Sequence, residues 1–96
     1  MDIETYLKHY ERFHEECRID TSVQAKNAKL VEEVCEYLEA HAQGDKTAAD
    51  EEAIDILNMA ISLCVSRGIH NPLYFGYLKL EKTAVKYMAK SVSNGY

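Results

Sequence analysis

Two pairs of carboxylate residues in this 96-residue chain have a spacing that would suit a metal ion. Glu33 pairs with Glu36, and Glu52 pairs with Asp55. Residues three positions apart share one face of a helix. The second pair lies within an apolar segment, where a carboxylate must be paired, protonated or bound to metal. If all four converge from two packed helices, they form a hard-cation site, and oxygen ligands favour Mg²⁺, Mn²⁺ or Ca²⁺ over zinc or iron.

The same spacing is also common on solvent-exposed helical faces. Glu33 and Glu36 taken alone fit that simpler interpretation. The neighbouring acids Glu32, Glu39 and Glu51 are expected to be surface residues. The apolar surroundings of the second carboxylate pair, rather than its spacing, therefore support the metal hypothesis.

Lysines near the C-terminus form a second charged group, Lys79, Lys82, Lys86 and Lys90. Their spacings of three, four and four place the ammonium groups along one helical face. Such a stripe is either a solvated face that balances an acidic protein or a binding surface. In the second case, Lys79 and Lys82 are the residues expected to reach an anion held by the metal.

Two further polar residues lie close to the carboxylate pairs in sequence. Asn58 follows Asp55 by one turn, so it either contacts a base or sugar or is a satisfied amide inside a helix. Lys29 precedes Glu33 by one turn, so it either meets a phosphate or neutralises that glutamate. Both residues remain candidates for substrate binding.

Apolar residues at helical spacing predict four helices and no strands. The helices are expected at about 2–17, about 23–42, up to about 67, and from 72 onwards, with 91–96 as a tail. The single domain, residues 1–96, is therefore predicted to be an all-α, four-helix up-and-down bundle. The third helix is apolar on nearly all sides, so we expect dimerisation to complete its core.

Several residues are expected to set the ends and buried faces of these helices. Gly44 and Gly68 are predicted to end the second and third helices in the left-handed conformation. The predicted N-caps are Thr21 or Ser22, Thr47 or Asp50, and Asn71. The faces predicted to pack consist of Leu30, Val31, Val34, Cys35, Tyr37 and Leu38 on the second helix, and Leu73, Tyr77, Leu80, Ala84 and Met88 on the fourth.

Composition excludes several functional classes. The net charge of −5 disfavours binding to nucleic acid polymers, which requires a basic surface. No apolar run approaches the roughly 20 residues that span a bilayer, and the first residues lack a secretion signal's basic and apolar regions. The three cysteines, Cys17, Cys35 and Cys64, are predicted to be reduced core thiols. A cytoplasmic protein without membrane contact is expected.

The order of these motifs resembles a known family. The segments Leu30-Val-Glu-Glu-Val-Cys-Glu36 and Asp50-Glu-Glu-Ala-Ile-Asp-Ile-Leu57 are similar to the paired ExxE and ExxD signature of the MazG-like, all-α nucleoside triphosphate pyrophosphohydrolases. Gly68-Ile69 and the following Lys79-Leu-Glu-Lys82 resemble the closing helix of that family. The resemblance covers roughly residues 26–90, and it implies a catalytic core at about 22–90.

The resemblance implies a dimer or dimer of dimers that cleaves a ribo- or deoxynucleoside triphosphate into the monophosphate and pyrophosphate. It implies that Mg²⁺, with Mn²⁺ as a possible substitute, is the cofactor. The implied ligands are Glu33, Glu36, Glu52 and Asp55, and the implied phosphate contacts are Lys79 and Lys82. Among the carboxylates, Glu36 is our choice for the group that orients or deprotonates the attacking water.

Two departures from the family pattern bear on the substrate. Thr83 stands where many members have asparagine, and the chain has no tryptophan on which to stack a base. Tyr37, Tyr74 and Tyr77 are possible replacements. His14 completes a single Glu-x-x-His motif, which lacks the second copy that di-iron bundles need. Two alternatives therefore stay open, a nucleotide-binding or protein-binding relative without turnover, and a purely structural helical dimer.

Overall fold

The computed structural model describes residues 2–93 and the side chains of residues 2–90. Its four helices are α1 (Ile3–Glu16), α2 (Val23–Ala42), α3 (Lys46–Ser66) and α4 (Pro72–Ser93), and there is no strand within the described range. The prediction of an all-α, four-helix fold is confirmed. Because α4 continues to Ser93, helix covers the first half of the predicted tail, and residues 94–96 lie outside the described part of the chain.

Side-chain caps begin the helices, and one of them differs from the prediction. Ser22 caps α2 by accepting a hydrogen bond from the backbone of Ala25, as expected. The cap of α3 is Asp45, whose carboxylate accepts from the backbone of Ala48 at 3.1 Å. Thr47 and Asp50, the predicted caps, therefore lie inside α3.

The geometry of the α2–α3 turn explains this difference. Gly44 takes a left-handed φ of 72°, as predicted, and so ends α2 abruptly. The next residue, Asp45, is then already in position to satisfy the free N–H groups of the following helix. Asp50, displaced into the first turns, forms an ion pair with Lys46 at 2.6 Å instead. Gly68 likewise has a positive φ, 85°, after α3.

The helices differ greatly in how closely they pack. The short turn makes α2 and α3 an antiparallel hairpin, and these two helices pack along most of their length, whereas α3 and α4 touch only over a short stretch. Helix α1 is joined to the hairpin by polar side chains, including Tyr6 to Asn58 and Tyr10 to Ser62. The hairpin is therefore the most closely packed part of the chain, and α1 and α4 are attached to it by fewer contacts.

The apolar faces predicted to be buried are largely exposed in the single chain. On α2, Val31 and Leu38 are 62% and 56% exposed, and on α4, Leu80 and Met88 are both 69% exposed. The radius of gyration is 16.8 Å, against about 12.5 Å for a compact domain of this length. The prediction that these faces are buried is therefore wrong for one chain, because α4 extends away from the hairpin instead of folding back onto it.

The structure also bears on the predictions for the cysteines and for membrane-spanning helices. All three thiols are free, as predicted, but Cys17 and Cys35 are exposed and Cys64 is half-buried, so they are not core residues. The α2 surface that carries Cys35 has no neighbouring helix to cover it in one chain. No helix within the described residues is long and apolar enough to cross a membrane.

Candidate functional site

Three of the predicted metal ligands meet where α2 and α3 face each other. Glu33 and Glu36 project from α2, and Glu52 projects from α3. Each has a carboxylate oxygen within 4.8 Å of the others. Glu33 is only 6% exposed, and the other two are half-buried. The hairpin alone therefore assembles a three-carboxylate cluster.

The cluster is incompletely satisfied by protein groups. Lys29 reaches one oxygen of Glu33 at 3.2 Å and also contacts Glu32 at 3.3 Å. The other oxygen of Glu33 and one oxygen of Glu52 are buried without a hydrogen-bond partner among the described residues. A buried carboxylate oxygen without a partner is costly, so these two atoms are suited to a ligand that supplies positive charge.

The neighbouring carboxyl groups of the cluster have different pKa values. The hydrogen bond with Glu33, together with burial and the charge of Glu36, raises the pKa of Glu52 to about 7. Burial pushes the pKa of Glu33 upwards, but its contacts with Glu52 and Lys29 outweigh burial and leave it lowered. Two carboxylates so close resist simultaneous ionisation, so without a cation a shared proton resides mainly on Glu52.

These features fit a hard divalent cation. Carboxylate oxygens are the ligands that Mg²⁺ and Mn²⁺ prefer, and a cation would satisfy the two unpartnered oxygens while removing the need for a shared proton. Glu33, Glu36 and Glu52 are the residues that would hold it. Asp55 is outside this three-residue cluster, but it lies one helical turn beyond Glu52, about 5 Å along the axis of α3. Its role as a fourth ligand stays a prediction.

Asp55 instead borders a cavity of about 480 Å³ between α1 and α3. The cavity is walled mainly by aromatic and imidazole rings from α1, with polar groups from α3. Its lining residues are Tyr6, His9, Tyr10, Phe13, His14, Asp55, Asn58 and Met59. A volume of this size beside a carboxylate cluster is in the range of small-molecule sites.

Polar bonds across this cavity hold α1 against α3. The hydroxyl of Tyr6 donates to Asn58 Oδ1 at 2.6 Å. One turn along, the Tyr10 hydroxyl and Ser62 Oγ are 2.5 Å apart. Ser62 is fully buried and Asn58 is half-buried, so both bonds are shielded from solvent. The sequence interpretation placed Asn58 near the site, which the cavity agrees with, but it gave α1 no part in the site.

A buried basic pair fixes the far end of α1. Lys26 is 3% exposed, and its ammonium group donates to His14 Nε2 at 2.6 Å. His14 Nδ1–H donates to the backbone oxygen of Tyr10 at 2.8 Å. Burial lowers the pKa of both side chains, and for Lys26 the charge of Asp20 acts in the opposite direction. His14 is therefore a neutral structural residue in the wall of the cavity.

Sequence reasoning missed these α1 residues because they look like ordinary amphipathic packing. The available signal was a set of three rings spaced four residues apart, Tyr6, Tyr10 and His14. Each of these rings carries a polar atom that can form a hydrogen bond. Residues four apart line one helical face. That face could have been recognised as one that bonds to other helices through polar atoms instead of filling an apolar core.

The predicted phosphate-binding lysines are not brought to the carboxylates within one chain. Lys79 and Lys82 are exposed on the surface of α4, among side chains of that helix alone. Neither forms an ion pair with a described carboxylate. The proposed replacements for tryptophan are elsewhere too, since Tyr74 and Tyr77 are exposed on α4 and Tyr37 stacks on His41 near the α2–α3 turn.

The structure is an all-α fold with a carboxylate cluster suited to a hard cation and a ligand-sized cavity bordered by Asp55, one turn along α3. The family model for phosphoribosyl-ATP pyrophosphohydrolase matches residues 8–83, which is most of the chain. The chain therefore belongs to the phosphoribosyl-ATP pyrophosphohydrolase family, within the MazG-like all-α superfamily that the sequence motifs resemble. This family consists of hydrolases that act on a nucleotide pyrophosphate. No curated protein and no solved structure matches the chain.

Proposed function

We propose that this protein is a Mg²⁺-dependent nucleotide pyrophosphohydrolase that releases pyrophosphate and leaves a nucleoside monophosphate. The observation that carries the proposal is the three-carboxylate cluster, in which Glu33 and Glu52 each keep a buried, unpartnered oxygen. Protein groups do not compensate these oxygens, whereas a divalent cation bound to phosphate would do so. Mn²⁺, with the same preference for oxygen ligands, is expected to substitute.

Each carboxylate has a proposed role. Glu33, Glu36 and Glu52 hold the metal, and Asp55 joins them from the next turn of α3. When bound, the metal neutralises charge on the phosphate oxygens. Glu36 orients a water molecule and accepts its proton as the water oxygen bonds to the α-phosphorus and the bond to the pyrophosphate oxygen breaks. Glu36 is chosen because Glu33 is engaged by Lys29, and because Glu33 and Glu52, but not Glu36, keep a buried oxygen without a partner that is suited to the metal.

The substrate is proposed to be a nucleoside triphosphate or a nucleotide built on one, such as the phosphoribosyl-ATP of the family name. Its phosphates would lie on the carboxylate side and its nucleoside in the α1–α3 cavity, since Asp55 borders both regions. Asn58 would contact the base or sugar. Lys29 would bridge Glu33 and a phosphate, a position its present ion pair with Glu33 allows.

We further infer that a second copy of the chain completes this site, as a homodimer or a dimer of dimers. Exposed apolar side chains occur on three helices, including Val31 of α2, Leu57 of α3 and Leu80 of α4, each more than half exposed. A large exposed apolar surface is typical of a protein interface. Because Lys79 and Lys82 remain distant from the carboxylates of their own chain, the partner copy is their proposed point of action.

A nucleotide-binding relative without turnover is the second candidate. It is favoured by Thr83, which reaches less far than the asparagine of many related proteins, and by the absence of tryptophan. In that case, the carboxylate cluster would still bind a metal–nucleotide complex. The two candidates differ in pyrophosphate release, whereas a purely structural dimer would show neither release nor metal-dependent binding.

The decisive experiment measures pyrophosphate release from phosphoribosyl-ATP and from a panel of ribo- and deoxynucleoside triphosphates, with and without Mg²⁺. Glu52→Gln and Asp55→Asn are run beside the parent protein, with Glu51→Gln as the matched control because that exposed neighbour points away from the cluster. Metal-dependent release that only the first two variants abolish supports the enzyme. No release from any nucleotide, with all variants folded, would reject it in favour of binding alone.

A further inference from the structure

The amide of Asn58 is held in one orientation by a residue from another helix. Tyr6 of α1 donates its hydroxyl hydrogen to Asn58 Oδ1 at 2.6 Å. An amide side chain has one acceptor oxygen and one donor nitrogen, so occupying the oxygen from one side turns the nitrogen to the other. The orientation of Asn58 is therefore set by α1, although Asn58 itself belongs to α3.

The donor end of that amide is available to a ligand. Asn58 borders the α1–α3 cavity, and within the described residues its Nδ2 neither makes a hydrogen bond nor is buried without a partner. An amide nitrogen that is unbonded and unburied is open to the cavity. Among the lining rings, those of Tyr10 and His14 already use their polar atoms and Phe13 has none, whereas His9 lines the cavity with an exposed side chain that α1 does not hold in place through a hydrogen bond.

We propose that Asn58 donates a hydrogen bond to an acceptor on the nucleoside held in this cavity, and that Tyr6 is the positioning residue that presents the donor. The inference rests on the proposed function, because it takes the cavity to hold the nucleoside of the substrate. The acceptor is a sugar oxygen or a ring nitrogen or carbonyl of the base. Without Tyr6 the amide rotates, so it presents oxygen and nitrogen alternately and loses selectivity for an acceptor.

This arrangement makes α1 part of ligand recognition rather than a passive cover. The bond from Tyr10 to Ser62 lies one turn further along the same two helices and provides an internal comparison. Both tyrosine hydroxyls tie α1 to α3, but only that of Tyr6 acts on a side chain with a free donor. A variant of Tyr10 therefore tests the effect of loosening α1, whereas a variant of Tyr6 also tests the effect of misorienting Asn58.

The test measures the dissociation constants of α,β-methylene analogues of ATP, GTP, CTP and UTP in the presence of Mg²⁺, which requires no turnover. The variants are Tyr6→Phe, Tyr10→Phe and Asn58→Ala, and each tyrosine change is also combined with Asn58→Ala. Double-mutant cycles isolate the part of an effect that passes through a shared partner. Circular dichroism confirms that every variant keeps its helix content.

We expect Tyr6→Phe to weaken the best-bound analogue about tenfold, the size of effect typical of one lost hydrogen bond. In the Asn58→Ala background, Tyr6→Phe should have no further effect, whereas any effect of Tyr10→Phe should be the same in both backgrounds. Asn58→Asp, which keeps an acceptor for Tyr6 but removes the donor, should weaken binding as strongly as Asn58→Ala.

Two results would overturn the inference. In the first, Tyr6→Phe weakens binding equally with and without Asn58, so that Tyr6 acts by holding α1 alone. In the second, Asn58→Asp binds as tightly as the parent protein, so that no donor is needed. Either result would overturn the inference even if the parent protein releases pyrophosphate. If the proposed function is wrong but the inference is right, the protein should bind the analogues tightly through Asn58 and release no pyrophosphate. No binding of any of these analogues would overturn this inference, whereas the proposed function is judged separately, by pyrophosphate release from phosphoribosyl-ATP and the triphosphate panel.

Discussion

The α2–α3 hairpin and helix α4 both carry charged residues at helical spacing, yet only the hairpin organises them into a site. In the hairpin, Glu33 and Glu52 come from different helices and share one buried position. On α4, Lys79 and Lys82 stay on the exposed surface of a single helix. Helical spacing places residues on a common face, but a site requires a second element packed against that face.

The two regions also differ in what covers their apolar residues. Ala40, Ala49 and Ile61 are the buried apolar residues of the described chain, and all three belong to the hairpin. Helix α4 leaves residues such as Leu80 and Met88 mostly exposed. Within one chain the hairpin buries these three residues but leaves others, such as Val31 and Leu57, exposed, whereas α4 leaves most of its large apolar side chains exposed. The predictions below test that contrast.

The largest expected effect concerns metal binding by the hairpin. Glu33→Gln removes a buried carboxylate charge, so we expect Mn²⁺ affinity to fall by about 100-fold, the upper range for disturbed metal sites. Lys79→Gln with Lys82→Gln should leave Mn²⁺ affinity unchanged, because α4 does not reach the cluster within one chain. Titration calorimetry without nucleotide measures both. Equal losses in the two proteins would show that α4 contributes to the metal site.

The next effect concerns the apolar face of α4. Leu80→Asp places a charge on a side chain that is 69% exposed in one chain but is proposed to be buried by a second copy. We expect the dissociation constant of the dimer to rise at least about tenfold, with loss of activity. Lys90→Glu, at an exposed charged position of α4, is the control for a change of charge on this helix. Light scattering at micromolar concentrations measures the mass, and a parent protein that is already monomeric would reject the proposed dimer.

A smaller effect is the pH dependence that follows from the buried His14. Burial lowers its pKa below the ordinary value of 6.5, so between the lowered pKa and 6.5 the unfolded chain binds more protons than the folded chain. The His14 contribution to the free energy of unfolding should therefore fall as pH decreases through that window, by up to about 1.4 kcal/mol per unit of pKa depression. Glu52, whose pKa is raised to about 7, contributes in the opposite direction over the same range, so the His14 part is obtained by comparing the parent protein with a His14 variant. Protonation would also oppose the adjacent ammonium group of Lys26.

Chemical denaturation at pH 7.5 and 5.5 measures this dependence. His14→Gln should remove the His14 contribution, because glutamine does not titrate, so acidification should cost this variant less stability than it costs the parent protein. His70→Gln, at an exposed position, should behave as the parent protein does. A His14→Gln variant with the same pH dependence as the parent protein would contradict the structural role of this imidazole.

The smallest effect tests the turn that joins the two halves of the site. Asp45→Ala removes the N-cap of α3 and should lower the free energy of unfolding by about 1 kcal/mol. Asp50→Ala removes only an exposed ion pair with Lys46 and should cost no more than about 0.5 kcal/mol. Thermal unfolding of both variants ranks them. The reverse order would mean that Asp50 acts as the cap.

Local patterns determined the fold class, the helices and the carboxylate pairs. Gly44 and Gly68, together with the period of the apolar residues, were sufficient because helix boundaries depend on neighbours in sequence. The pairing of Glu33 with Glu36 was predictable because residues one turn apart share a face whatever the tertiary structure, whereas Glu52 joins them only through the packing of α3 against α2. The exception was Asp45, since Asp45, Thr47 and Asp50 could each cap the helix and only the path of the turn selects one of them.

Tertiary structure alone decided which faces are paired. The spacing of Leu73 to Met88 shows that α4 is amphipathic, but not that its apolar face lies away from its own hairpin. In the same way, nothing local indicates that Tyr6 bonds to Asn58, because the two residues are 52 positions apart. Sequence periodicity fixes the face on which a residue lies, whereas the partner of that face depends on the packing of the whole chain, where competing arrangements differ by only a few kcal/mol.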